Sequence, residues 1–309
     1  MHKNTIFVFT NNNSIKLSKI LSELDSVKNE FNIYVVDDSH KNKIIKSNFN
    51  LTLKIAKDAY LGRDAFKAFY NLNYSYSEDQ VIGTDKWNLG IARNFALDYA
   101  KRKSLNKILF VDDDITKIDH FTLNKGFASL NGENFVSCHL KGLYDESIVA
   151  NIARTSGLED KKERLLSGGF LFLSSLSIKN KFYNIYNEDW ILQLLENDKE
   201  RVLIDFSVTH DENGSREWKI ENVYFQEVGE IIIKALLSDN HAMNWNNKKW
   251  EAIIEERYNY LTNLLKRVVI LKDLKAQKIL HLLLEWHQEI NSDSIIKEIQ
   301  ENERYFIKY

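Results

Sequence analysis

The 309-residue chain is 44% hydrophobic and 12% aromatic, enough to fill a core and too much for a disordered segment. Its 42 basic and 44 acidic residues leave a formal net charge of -2, a balance that gives no reason to expect general attraction to nucleic acid or to a membrane. The single cysteine, Cys138, rules out an intramolecular disulfide and suits a reducing cytosol.

No positive n-region followed by an apolar h-region opens the sequence, and no stretch approaches the ~20 apolar residues of a membrane span, so a cytoplasmic protein without a transmembrane segment is expected. Thr5 to Thr10 is an apolar run closed by Asn11-Asn12-Asn13-Ser14, a strand and then a turn. Ser14 can cap a helix whose face is Ile15, Ile20, Leu21 and Leu24. Phe31 to Val36 reads as the next strand and ends in Asp37-Asp38-Ser39, so the first forty residues form strand, helix, strand, the start of a parallel α/β unit.

Residues 40 to 85 carry several aromatics but only weak periodicity. After them a helix runs from Leu89, with Ala92, Phe95, Ala96, Tyr99 and Ala100 on one face and Lys101, Arg102 and Lys103 at its C-terminal end. It leads into Lys107-Ile108-Leu109-Phe110-Val111, four apolar residues in a row that read as a strand buried on both faces and that stop at Asp112-Asp113-Asp114. On a strand of period two, Asp112 and Asp114 point to the same side. Neighbouring carboxylates repel unless a cation lies between them, and Mg²⁺ and Mn²⁺ suit oxygen ligands. An acidic turn that merely ends a strand gives the same pattern.

Further strands are expected at Phe135–His139, at Phe170–Leu173 after Gly168-Gly169, and at Val202–Val208 just before His210. Asn187-Glu188-Asp189 opens a helix with Trp190, Ile191, Leu194 and Leu195. From about 219 the pattern is helical only: 227–237, 250–271 and 274–290, with Val268, Val269, Leu271, Leu274, Ile279, Leu282 and Leu283 expected in the core. Cys138, in Phe135-Val136-Ser137-Cys138, reads as a small buried hydrophobe.

In order, Val36-Asp37-Asp38-Ser39, Asn88-Leu89-Gly90-Ile91-Ala92-Arg93-Asn94, Val111-Asp112-Asp113-Asp114, Gly168-Gly169-Phe170 and Asn187-Glu188-Asp189-Trp190 resemble the motif series of the GT-A glycosyltransferases, especially the family-2-like group. The resemblance covers roughly residues 4 to 212. It implies an α/β GT-A fold, a mostly parallel sheet flanked by helices, in a catalytic domain of residues 1–215. A C-terminal helical region, 216–309, would serve the acceptor or oligomerisation. It implies a UDP-sugar donor and a Mn²⁺ or Mg²⁺ ion held by Asp112, Asp114 and His210, with Asp113 on the ribose or as a second-choice ligand. Asp38 would accept from the nucleobase, with Asp37 and Thr10 beside it. Phe9 stands where the family usually has proline.

Arg93 can reach diphosphate oxygens and Gly90 permits close backbone approach, although an arginine here can equally pair with an acid such as Asp85. Asp189, near a helix N-terminus and beside Trp190, is the candidate general base for inverting displacement. Glu188 would orient the acceptor or the loop; alternatively the pair only caps the helix dipole. Gly168, Gly169 and Trp190 would border a hydroxyl acceptor, a glycan, peptide or small molecule.

A retaining transferase and a nucleotidyltransferase of similar architecture are the alternatives. The latter normally has a Gly-rich basic loop where this chain has Asn11-Asn12-Asn13-Ser14. A receiver-type signalling domain fails on spacing, and a catalytically dead binding domain is at odds with the presence of Asp112, Asp114 and Asp189.

Overall fold

The computed structural model describes residues 3–11, 14–37, 59–62, 89–141, 147–158, 165–210, 220–238 and 246–307. Asp38, Asp85, most of 40–85 and Asp211 lie outside them. The chain divides into two compact units, one of Met1–Leu143, Leu165–Asn184 and Glu196–Gly214, the other of Tyr144–Arg164, Ile185–Leu195 and Ser215–Tyr309. The second unit thus takes in two segments that precede residue 215.

The first unit holds one eight-stranded sheet. Its strands are β1 (Thr5–Thr10), β2 (Asn32–Asp37), β3 (Tyr60–Gly62), β4 (Lys107–Asp112), β5 (Ile115–Thr116), β6 (Asn134–Lys141), β7 (Phe170–Ser174) and β8 (Glu200–His210), in spatial order β3-β2-β1-β4-β7-β6-β8-β5. The pairings run six strands one way, with β7 and β5 against them. The sheet is therefore mostly parallel, as expected, and β4 lies at its centre. Among the described residues, three α-helices belong to this unit: α1 (Ser14–Leu24), α2 (Leu89–Arg102) and α3 (His120–Ser129).

Period-two alternation divides the core between the two faces of the sheet. Ile6 and Val8 of β1, Val35 of β2 and Leu109 and Val111 of β4 join Leu17, Ile20, Leu21 and Leu24 of α1 in one buried cluster. The intervening positions Phe7, Phe9 and Phe110 form an aromatic layer with Tyr34 and Tyr99. The ring centroids of Phe9 and Phe110 are 5.0 Å apart, and those of Tyr34 and Tyr99 5.3 Å. Cys138 is buried, and burial pushes its thiol up to about 12, so it packs as a hydrophobe as expected.

β8 is longer than the sequence pattern indicates, and its extra length has a purpose. Along β6 the pairing steps from Cys138↔Ile204 to His139↔Ser207, so β8 carries two residues, Asp205 and Phe206, that β6 does not match. Such a bulge bends the strand. The end of β8 pairs with β5, which starts three residues after Asp112, a chain reach of at most about 11 Å. The bent end of β8 is therefore brought back to the chain leaving the central strand.

The second unit is helical: α4 (Ile148–Thr155), α5 (Glu188–Leu195), α6 (Ile220–Ser238), α7 (Asn247–Ile270), α8 (Leu274–Glu289) and α9 (Ser292–Ile307). α9 was not legible as a separate helix in the sequence, because among its described side chains the fully buried apolar ones are Ile295 and Ile299. Ile148, Val149 and Ile152 of α4 pack with Val223 of α6, Leu261, Leu264 and Val268 of α7, and Ile279, Leu280 and Leu283 of α8. Val269, Leu271 and Leu274 correct the expectation of core positions. They are 49%, 51% and 77% exposed, because they sit at the turn joining α7 to α8, beyond the reach of the helices that cover Val268 and Ile279.

Inside this unit a buried ion-pair network joins three helices. Arg257 of α7 donates from Nε and Nη2 to the two carboxylate oxygens of Glu227 on α6, at 2.7 and 2.9 Å, and His287 Nε2 of α8 lies 3.0 Å from Glu227 Oε1. Burial alone would raise the Glu227 carboxyl, but Arg257 and His287 bring it down to about 2. Cutting such a pair leaves a charge in the interior with no counter-charge. Glu227→Ala is therefore expected to destabilise the protein by about 3–5 kcal/mol, read as a lower urea midpoint in chemical denaturation.

Candidate active site

The triple aspartate falls where the sheet ends. Asp112 is the last residue of β4, while Asp113 and Asp114 form a tight turn before β5. The strand alternation expected across all three residues thus stops at Asp112, and each carboxylate instead finds its own partner.

Asp112 is held by Arg93, whose Nη2 donates to both carboxylate oxygens at 3.1 and 3.2 Å. Arg93 is only 2% exposed, with its guanidinium 5.9 Å from the ring centroid of Phe9 and 6.0 Å from that of Phe182. A buried guanidinium stacked on rings and bonded to a carboxylate is fixed in orientation. Phe9, the residue at the position where the resembled family has proline, is thus part of the wall that holds Arg93. On the other side, the Asp112 backbone N–H donates to the Gly169 carbonyl at 3.0 Å. A Cβ at Gly169 would lie 3.4 Å from Asp112 Oδ2, so glycine keeps space open at that oxygen.

Asp113 accepts from the Thr10 hydroxyl at 2.6 Å, and Thr10 is the register partner of Asp37 across β1 and β2. Burial pushes the Asp113 carboxyl up to about 7, and the charges of Asp114 and Asp112 add to that, against the opposing Thr10 hydroxyl and Lys16. Asp37 is buried and accepts from the hydroxyl of Tyr60.

Asp114 meets two groups. Lys16 Nζ, in the first turn of α1, is 3.2 Å from Oδ2, and His210 Nε2 is 3.4 Å from Oδ1. His210 reaches this point because its register partner is Ile115, the residue after Asp114. Its Nδ1 is buried with no hydrogen-bond partner among the described residues. Among the described residues no three His, Cys, Asp or Glu side chains converge into a ready-made cation cage. The donor set nevertheless fits a hard divalent ion, with carboxylate oxygens and one imidazole on a turn whose crowded negative charge a cation would relieve.

Gly90 and Asn94 have a different setting from the one their motif suggests. A Cβ on Gly90 would come within 2.3 Å of the Tyr183 carbonyl oxygen, so the close backbone approach at Gly90 is to residues 183–184. Asn94 brackets Phe182, donating to its carbonyl at 2.7 Å and accepting from its N–H at 2.8 Å. The motif helix α2 therefore fastens the chain after β7 and aims Arg93 at Asp112.

Glu188, Asp189 and Trp190 lie in the other unit, in the first turn of α5. Asn187 precedes them at φ 64°, a left-handed conformation that asparagine tolerates, and its carbonyl accepts from Ile191 N–H at 2.9 Å to start the helix. Glu188 is buried. Asp189 and Trp190 are half-buried, and Asp189 Oδ1 accepts the Trp190 N–H at 2.9 Å.

Sequence reasoning missed Lys16, Tyr60 and Asn94. Lys16 follows the first helix start by two residues, and a cation there carries a readable signal only once Asp114 is known to face it. Tyr60 lies in the unread stretch 40–85, and Asn94 was quoted only as part of a motif.

No family model matches the chain, and no curated protein matches it by sequence. Solved structures do. Glucosyl-3-phosphoglycerate synthase from Mycobacterium tuberculosis in complex with Mn²⁺, UDP and phosphoglyceric acid superposes with a TM-score of 0.52 at 14% identity, over 78% of this chain and 80% of that one. The same enzyme without named ligands gives 0.51 at 12% identity, over 75% and 80%. Its complex with Mg²⁺ and UDP gives 0.50 at 15% identity, over 78% and 80%. At this identity the likeness establishes the fold: an eight-stranded, mostly parallel sheet flanked by helices and followed by C-terminal helices, the GT-A architecture that the motifs imply.

The raised carboxyl gives a stability prediction. Between about pH 4 and 7 the folded metal-free protein keeps the Asp113 proton that the unfolded chain releases, so Asp113 erodes stability as pH rises through that window. Asp113→Asn in chelator-treated protein should raise the melting temperature at pH 8 and have little effect at pH 4. A pH-independent change in thermal melts would refute the assignment.

Proposed function

We propose that this chain is a metal-dependent glycosyltransferase, family-2-like, that moves a sugar from a UDP-sugar to a hydroxyl acceptor with inversion at the anomeric carbon. The observation that carries the reading is the acidic turn at the end of the central strand, with His210 delivered to Asp114. It is supported by a fold shared with a synthase solved with Mn²⁺ and UDP. In this reading residues 1–215 form the donor and catalytic domain, 216–309 serve the acceptor or oligomerisation, and the enzyme works in the cytoplasm. Among the described residues no helix is long and apolar enough to cross a membrane.

Asp112, Asp114 and His210 would hold Mn²⁺ or Mg²⁺. Bound there, the ion supplies Lewis-acid neutralisation of the diphosphate leaving group. Arg93 has the complementary task of fixing the orientation of the Asp112 carboxylate, to both of whose oxygens it donates. Thr10 orients Asp113 toward a ribose hydroxyl, and Asp38 has the role of accepting a hydrogen bond from the nucleobase, with Asp37 as its neighbour in sequence. Asp189 accepts the proton of the acceptor hydroxyl as its oxygen bonds to the anomeric carbon and the bond to UDP breaks. Glu188 orients the acceptor or the loop, and Gly168, Gly169 and Trp190 border the acceptor.

Three measurements test this. With Mn²⁺ and a panel of sugar nucleotides, slow release of UDP is expected that EDTA abolishes; turnover surviving complete metal removal sinks the reading. Asp189→Asn should leave donor binding unchanged and lower transfer about 10²–10⁴-fold, the range for loss of a general base. The anomeric configuration of the product, read by NMR, should be opposite to that of the donor. Retention would transfer the chemistry to the retaining alternative and remove Asp189 as base.

A further inference from the structure

The turn between α7 and α8 presents the densest exposed apolar surface among the large side chains described. Val269, Ile270, Leu271 and Leu274 fall within six consecutive residues and are 49%, 75%, 51% and 77% exposed. The core resumes on both sides of them, with Val268 and Ala276 each 1% exposed. Their surroundings are cationic. Lys266, Arg267, Lys272, Lys275 and Lys278 are exposed along residues 266–278, where the one acid is Asp273, which is engaged as the N-cap of α8 by accepting Ala276 N–H at 3.0 Å. The chain as a whole is slightly acidic, so this concentration of positive charge is local.

The placement of the charges matters as much as their number. Lys266 lies one turn before Ile270 on α7, and Lys278 one turn after Leu274 on α8, so each pair shares a helix face. The two helices pack against each other and are joined by three residues. The hairpin therefore has aliphatic side chains at its apex, with the Lys266 and Lys278 ammonium groups one turn back from it and Lys272 in the turn itself. Long lysine stems can extend toward a polar layer while the apex enters an apolar one. Water, or a protein surface of mixed charge, has no use for that vertical order; an anionic bilayer, with phosphate above hydrocarbon, matches both halves of it.

We propose that the α7–α8 hairpin tip docks on anionic phospholipid membranes, with Ile270, Leu271 and Leu274 entering the headgroup–acyl boundary and Lys266, Lys272 and Lys278 meeting lipid phosphates. The occupant is a lipid surface and not a second protein, because the apolar tip is small and its charge is predominantly positive. The absence of a helix long enough to cross a membrane, among the described residues, makes this a peripheral attachment. It is independent of the catalytic reading: the residues of the tip take no part in the acidic turn or the first turn of α5.

The test is flotation of the full-length chain with vesicles of phosphatidylcholine alone and of phosphatidylcholine mixed with phosphatidylglycerol, at low and high salt. The chain should float with the mixed vesicles only, and less as salt rises. Ile270→Ser with Leu274→Ser should abolish flotation at an unchanged melting temperature, since both side chains are exposed. Lys266→Gln, Lys272→Gln and Lys278→Gln should each weaken partitioning roughly five-fold, the factor for about one unit charge at such a surface. No flotation with the mixed vesicles, or flotation equal in all variants, overturns the proposal. So does self-association by light scattering that Ile270→Ser with Leu274→Ser removes while vesicle binding is absent, which would make the tip an interface between copies.

Discussion

Three adjacent carboxylates at the end of one strand are a problem of mutual repulsion, and the sheet-bearing unit is arranged around its solution. Each acid is answered from a different direction in sequence: Arg93 from α2 for Asp112, Thr10 from β1 for Asp113, Lys16 from α1 and His210 from β8 for Asp114. The answers are unequal. Asp112 has a buried guanidinium in contact, whereas Asp113 has a hydroxyl that cannot offset its burial, and its carboxyl rises to about 7. A turn so constituted carries excess negative charge at neutral pH and is suited to a further cation.

The central position of β4 makes this arrangement possible. Its flanking strands differ in direction, β1 parallel and β7 antiparallel. The parallel neighbour brings Thr10 to the same end of the sheet as Asp112. The antiparallel neighbour starts there, which puts the Gly169 backbone against Asp112. Burial of β4 on both faces, by the α1 aliphatics and by the Phe7–Phe9–Phe110 layer, leaves the strand end as its solvent-facing part.

Much of this was legible in the sequence. The runs Thr5–Thr10, Lys107–Val111 and Phe170–Leu173 announce themselves because strands buried on both faces leave long apolar stretches. The acidic turn and the Gly-Gly pair were legible as types, since few side chains suit those positions. Partnerships were not. Arg93 and Asp112 are nineteen residues apart, Thr10 and Asp113 over a hundred, and no local periodicity encodes which strand end faces which helix start. Helical periodicity likewise could not separate Val268 from Val269, or assign Leu271 and Leu274 to the surface, because apolar residues at a hairpin apex keep the helical spacing after the partner helix has ended.

The bulge in β8 separates two jobs that a regular strand would merge. Upstream of it, hydrogen bonds to β6 seat Val202 and Ile204 against the hydrophobic interior; downstream, the bent end delivers the His210 imidazole. With Asp205 and Phe206 as slack between the two, mutation can lengthen, shorten or re-aim the terminal imidazole without unpicking the ladder that folds the sheet. Substitution there can thus change what the end of β8 presents to Asp114 while the scaffold stays as it is.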